Sequence, residues 1–149
     1  MSIKYLVVTT AQQMLSTELN ALASGSGIVQ VTGTNAAYDN SSNLAFWGDF
    51  ELNVTFGSAP AADASVELYL VPAFDGTNYE TTVDGASPLV DLNSLIGVFD
   101  LEAVTTAQRR VIRGVPLPPT LFKLYIKNTS GVVFPATGTV VRMSTYCEQ

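Results

Sequence analysis

A chain of 149 residues fits one domain, and a fold of that size buries roughly 68–70% of the surface its unfolded form exposes. Hydrophobic residues make up 47% and charged residues only 13%, about half the share usual for soluble domains, so solvation rests on Ser, Thr, Asn and Gly. The net charge of −6 argues against a nucleic acid or an anionic membrane as partner, since both attract basic surfaces. The charge is unevenly placed. Residues 1–105 carry one basic residue against twelve acidic ones, and residues 106–149 carry six basic against one acidic. Two readings follow: early and late strands intermix in a sandwich, or an acidic patch meets a basic patch on a neighbouring copy.

The N-terminal run Tyr5–Thr9 is strand-like and too short for a signal-peptide core, and no run approaches the roughly 18 apolar residues of a membrane span. Synthesis in a cytoplasm is the expectation. Thr10 and Gln13 then stand at capping-box spacing, and Leu15, Leu19 and Leu22 recur at i, i+4 and i+7, which predicts a short helix ended by Ser24-Gly25-Ser26-Gly27. So narrow an apolar stripe is unstable alone and must dock on the sandwich or on another subunit. Residues 1–27 therefore read as an N-terminal arm, and residues 28–149 as the β-domain.

From Ile28 the period changes to two. Phe50, Leu52, Val54 and Phe56 alternate with Glu51, Asn53 and Thr55; Val66, Leu68 and Leu70 share one side of a strand; Phe122, Leu124 and Ile126 oppose Lys123, Tyr125 and Lys127. Further strands are expected over 28–32, 44–47, 97–101, 108–113, 132–134 and 139–146, about eight or nine in all. Turn chemistry separates them at Gly57-Ser58-Ala59-Pro60, Asp75-Gly76, Asp84-Gly85, Asn128-Thr129-Ser130-Gly131 and Pro135-Ala136-Thr137-Gly138. Pro116-Leu117-Pro118-Pro119 cannot pair in mid-sheet and reads as an extended crossover or an edge. The expected fold is all-β, an antiparallel β-sandwich of jelly-roll or Greek-key type, with the short helical arm in front.

No histidine occurs, which removes the commonest general base, the Ser-His-Asp triad and the usual zinc sites, and no phosphate-binding glycine loop stands between a strand and a helix. The chain reads as a non-enzyme without cofactor or metal. Asp49 and Glu51 share a strand face and are the one carboxylate pair with the spacing to suggest glycoside hydrolysis; solvated strand residues are the plainer reading. Asp75-Gly76-Thr77-Asn78 lacks the ligand count of a calcium loop and reads as a turn. Cys147 has no partner for an internal disulfide and reads as a free thiol.

Asn40, Asn53 and Asn128 open glycosylation sequons, which without a secretory signal are strand and loop residues. Arg109, Arg110 and Arg113 are the densest basic feature, either a salt-bridged strand face or a contact for a protein partner. Together with Leu15, Leu19 and Leu22 of the arm they are the candidate partner-binding residues. Trp47, Tyr38 and Tyr79 stand beside polar loop residues and are candidates for a sugar-stacking platform, with core packing the competing role for Trp47.

Several phrases carry a family resemblance: residues 15–23 (LSTELNALA), Asp49-Phe50-Glu51-Leu52, Val71-Pro72 with Asp75-Gly76-Thr77-Asn78-Tyr79, Arg113-Gly114-Val115-Pro116-Leu117-Pro118-Pro119, and Thr145-Tyr146-Cys147-Glu148-Gln149. They resemble a family of small tailed-bacteriophage proteins that look like virion proteins of the capsid decoration, or cement, type. The similarity spans nearly the whole chain, in motifs of turns and strand edges that specify a fold better than an activity. The resemblance implies a structural protein on the capsid exterior, made in the host cytoplasm, whose partners are capsid or other virion proteins and copies of itself in a dimer or trimer. A carbohydrate- or receptor-binding module of a phage tail or fibre is the alternative.

Overall fold

Alternating side chains can bury one face only if a second apolar face lies opposite, and the chain meets that requirement by crossing repeatedly between two sheets. The computed structural model describes residues 5–30, 37–79 and 92–148. Among them are nine strands: β1 (Tyr5–Leu15), β2 (Gly27–Val29), β3 (Tyr38–Asp39), β4 (Trp47–Val54), β5 (Ser65–Pro72), β6 (Leu95–Asp100), β7 (Gln108–Pro116), β8 (Leu121–Thr129) and β9 (Val140–Glu148). One sheet has the order β1-β9-β4-β7 and the other β2-β8-β5-β6, with the two-residue β3 also on β8. Every pairing is antiparallel: the outermost strands in sequence, β1 and β9, pair together, and so do β2 with β8, β4 with β7, and β5 with β6. A long hairpin folded over on itself in this nested way is a jelly roll, so the all-β sandwich expected from the alternation is the fold found.

The core lies between the sheets. Phe50, Leu52 and Val54 of β4 and Val141 and Met143 of β9 face Val66 and Leu68 of β5 and Phe122, Leu124 and Ile126 of β8, all of them buried. Burial of each such side chain stabilises by about 1.5–3 kcal/mol relative to exposure. The proline segment is a crossover as expected: β7 ends at Pro116, the Leu117 amide donates to the Phe46 carbonyl at 2.9 Å, and the chain enters β8 in the opposite sheet at Leu121.

Two expectations are corrected. The N-terminal helix is absent: residues 5–15 form the 11-residue β1, and only Thr17–Leu19 make a single 3-10 turn. Pairing with β9 satisfies one side of the strand's backbone, whereas two helical turns with a narrow stripe have little to hold them. Met14, Leu15 and Leu19 of this segment are buried in the same core as β4 and β8. The strand expected over 132–134 is an irregular segment that still delivers a buried Phe134 against Phe56, ring centroids 5.9 Å apart. Its backbone is taken up elsewhere: the Val132 carbonyl accepts from the Asn128 side chain and the Phe134 amide donates to the Leu22 carbonyl. The turn expected at Asp84-Gly85 lies outside the described residues.

Two sequon asparagines turn out to be internal fasteners, each buried with both ends of its amide in use. The Asn128 Nδ2 donates to the Leu22 and Val132 carbonyls at 2.9 Å each, while its Oδ1 accepts from the Ser130 amide and hydroxyl. At the other end of β8, the Asn40 Nδ2 donates to the Ala45 and Pro118 carbonyls and its Oδ1 accepts from the Ala45 amide. Replacement of Asn128 by Ala removes one donor from each of two carbonyls, which keep the Phe134 amide and the Ser130 hydroxyl, and takes the acceptor from the buried Ser130 amide; it is expected to cost about 1–3 kcal/mol in urea unfolding. Asn128→Asp is expected to be no rescue, since it sets a negative charge before the same two carbonyls.

Gly27 meets a different limit. A Cβ built there falls 1.8 Å from the Tyr125 hydroxyl oxygen and 2.3 Å from the ring carbon that bears it, and Tyr125 is fully buried. Gly27→Ala is accordingly expected to destabilise by about 1–3 kcal/mol, read as a lowered urea midpoint at unchanged slope. A midpoint equal to that of the unaltered chain would contradict the close approach.

Candidate functional site

Because Gly48, Phe50, Leu52 and Val54 point inward, β4 must turn Trp47, Asp49, Glu51 and Asn53 to the outer face of its sheet. Its two neighbours then set arginines beside those carboxylates. The Arg109 Nε donates to Glu51 Oε2, Arg142 of β9 stands 3.6 Å from Glu51 Oε1 directly across the register, and Arg113 stands 3.5 Å from Asp49 Oδ2. Asp49 Oδ1 also accepts from the Gly114 amide at 2.8 Å and from the Tyr146 hydroxyl at 3.3 Å. Asp49, Glu51, Arg109, Arg113 and Arg142 line a hollow of about 280 Å³.

The electrostatics of this face are those of a settled ion-pair network. Partial burial alone would raise the Glu51 carboxyl, but hydrogen bonds from Arg109 and Asn53, with the charges of Arg109 and Arg142, outweigh it and hold the group below the usual carboxylate range. A glycosidase pair needs one carboxyl raised so that it stays protonated, and Glu51 is shifted the other way. Desolvation, then the charge of Asp49 and a hydrogen bond to it, raises the Tyr146 phenol.

The arginine cluster of the sequence divides between two surfaces. Arg109 and Arg113 lie on the outer face with exposed side chains, whereas Arg110 turns to Glu102, 2.6 Å away. Leu15 and Leu19 are fully buried in the core between the sheets, and Leu22, half-buried, packs against it. The three aromatics do not converge. Tyr38 is buried, with its ring tilted against Phe122; Tyr79 packs near Tyr69 and Tyr125 beneath Lys123, which is 4.4 Å from its ring; Trp47 is on the outer face of the other sheet.

Asp75 is a turn residue. Its carboxylate accepts from the Asn78 and Thr77 amides and from the Asn78 side chain, which draw its pKa down to about 2. The Cys147 thiol donates to the Leu44 carbonyl at 3.4 Å. Among the described residues, no group of three or more His, Cys, Asp or Glu side chains is arranged to hold a metal ion, and no helix is long and apolar enough to cross a membrane.

One surface was not visible in the sequence. Tyr5, Leu6, Val7, Leu44 and Phe46 are each 50–61% exposed, and they account for five of the ten large apolar side chains exposed among the described residues. They stand at one end of the sandwich, on both faces of the sheet and on both sides of β9. Tyr5 and Tyr146 form an edge-to-face pair at 5.5 Å, Val7 and Trp47 flank Tyr146 in register, the Phe46 amide donates to the Tyr146 carbonyl, and Leu6 pairs with Cys147. Leu44 holds φ at 47°, a left-handed conformation unusual for leucine, with its side chain in solvent. The only local signal was the unbroken run Leu6-Val7-Val8, apolar on both strand faces where one face would suffice.

The chain matches no protein-family model and no curated protein.

Since its carboxyl is held low, Glu51 adds stability above the ordinary glutamate pKa of about 4.3, and that stability is lost as pH falls through the lowered folded-state value. Thermal unfolding of the unaltered chain and of Glu51→Gln, followed from neutral pH to pH ~3, is expected to show their melting temperatures converging as acid is added. A constant gap across the range would contradict a native ion pair at Glu51.

Proposed function

We propose that this protein is a structural, non-enzymatic component of a tailed-phage virion, one that binds the capsid exterior and stabilises it as a decoration or cement protein. The observation that carries the reading is the cluster of exposed apolar side chains at one end of a sandwich whose outer-face charges are already paired with one another. Exposed apolar side chains concentrated at one end of a sheet favour a contact with another macromolecule, whereas an ion-paired strand face needs none. The phage-like phrases over most of the chain point to virion proteins as that contact. A sandwich held by two internal asparagine fasteners is suited to bearing load between subunits, and no cofactor enters such a role.

The alternative, a sugar- or receptor-binding module of a tail or fibre, has less behind it, because Tyr38 is buried in the core while Trp47 and Tyr79 lie on different sheets, so the three form no common platform. The decisive measurement uses purified particles stripped of the protein and then given it back. Stripped particles are expected to release their contents at a lower temperature and to regain resistance on re-addition. Equal heat and osmotic resistance with and without the protein would end the cement reading.

A further inference from the structure

We propose that the outer face of β1, β9 and β4, at the end that carries Tyr146, binds a quaternary ammonium group, the head group of a choline-type ligand, in an open cage of three aromatic rings with a carboxylate at its rim. This goes beyond the cement reading and does not rest on it.

Register builds the cage. On β9, Tyr146 and Glu148 stand two residues apart and so share the outer face. β1 sets Tyr5 opposite Glu148, and β4 sets Trp47 opposite Tyr146. Three neighbouring strands thus contribute three rings and one carboxylate, and with Gly114 these line a single hollow of about 220 Å³. The Tyr5 and Tyr146 rings lie 5.5 Å apart with their planes at 87°, which walls two sides of a corner. Tyr146 is held in place, since its hydroxyl donates to Asp49 Oδ1 at 3.3 Å and that oxygen also accepts from the Gly114 amide at 2.8 Å. Gly114 adopts a left-handed φ of 64°, and a Cβ there would stand 4.0 Å from the Tyr146 hydroxyl, so the glycine leaves that side of the hollow clear.

Charge and hydrogen bonding select the occupant. The face of an aromatic ring is negative and draws a cation to within about 6 Å of its centre. Glu148 is exposed and, among the described residues, stands in no ion pair, whereas Asp49 and Glu51 further along the same face already have arginines. The uncompensated charge at the hollow is therefore negative, on a chain whose net charge is −6. A lysine ammonium would bring three N–H donors to walls made mainly of ring faces, while a quaternary ammonium has no N–H to satisfy. A sugar meets a similar difficulty: its hydroxyls need fixed polar partners, and the Tyr146 hydroxyl and Asp49 Oδ1 are already engaged with each other.

Trp47 is the only tryptophan, so its fluorescence reports on this hollow. Titration of the full chain with choline chloride, with sodium chloride holding the ionic strength constant, is expected to give a saturable change with a millimolar dissociation constant. The neutral tert-butyl analogue of choline, of the same shape, is expected to bind about fivefold more weakly. Tyr5→Ala and Glu148→Gln are each expected to weaken choline binding about threefold or more, while Phe74→Ala, at a ring 82% exposed beside a different hollow, leaves it unchanged. Tyr5 and Glu148 are exposed side chains, and circular dichroism verifies that the variants keep the native strand signal. Co-sedimentation with phosphatidylcholine vesicles separates two sources of the group: binding to both names a lipid head group, and binding to choline alone names a free molecule. A flat titration, equal affinity for the neutral analogue, choline binding that survives Tyr5→Ala or Glu148→Gln, or a loss with Phe74→Ala would each overturn the cage. No particle is present, so the result stands apart from the heat-resistance outcome above.

Discussion

The contact between the two inner sheet faces governs the rest of the molecule. Phe50, Leu52 and Val54 can leave water only by meeting Leu68, Leu124 and Ile126 across the sandwich, and side chains on a strand alternate without exception. Once those residues are inside, Asp49, Glu51 and Asn53 have no choice but to stand outside, one turn of the pleat apart. β7 and β9 must pair with β4 on its two sides, and each arrives with arginines on its own outer face. The ion-pair network is thus a consequence of core burial, which is why it is complete without any ligand.

The ends of the sandwich obey a different rule. Loops that cross from one sheet to the other carry backbone groups into regions where no ladder can satisfy them, and a buried polar group without a partner is costly. Asn40 and Asn128 answer this at opposite ends of β8, each using its amide to tie two separated stretches of chain. A side chain with two donors and two acceptor lone pairs is suited to that task where a hydroxyl would fall short.

Self-satisfaction elsewhere gives the apolar end its significance. The charges of the β4 face are paired, the inner leucines are buried, and the Asp75 carboxylate is consumed by its own turn. Five of the ten large apolar side chains exposed among the described residues stand instead near Tyr146, where contact still has free energy to gain. The proposed cement role would draw on a rigid body and on a surface worse off in water than against a neighbour, which are different parts of one fold.

Local chemistry determined the strands from β4 onward, the turn at Asp75, and the crossover at Pro116–Pro119, since period-two alternation and proline's missing N–H act on a few neighbouring residues at a time. The pairing of arginines with carboxylates was legible as one of two outcomes. The leucines at 15, 19 and 22 misled because a spacing of four and three also fits the end of a strand followed by a tight turn, and only the presence of β9 alongside makes the strand the better solution. The two asparagine fasteners and the apolar end were decided by tertiary structure alone. Asn128 looks like any loop asparagine until Leu22 lies within reach, and Tyr5, Val7 and Tyr146 come together only after the first and last strands are laid side by side.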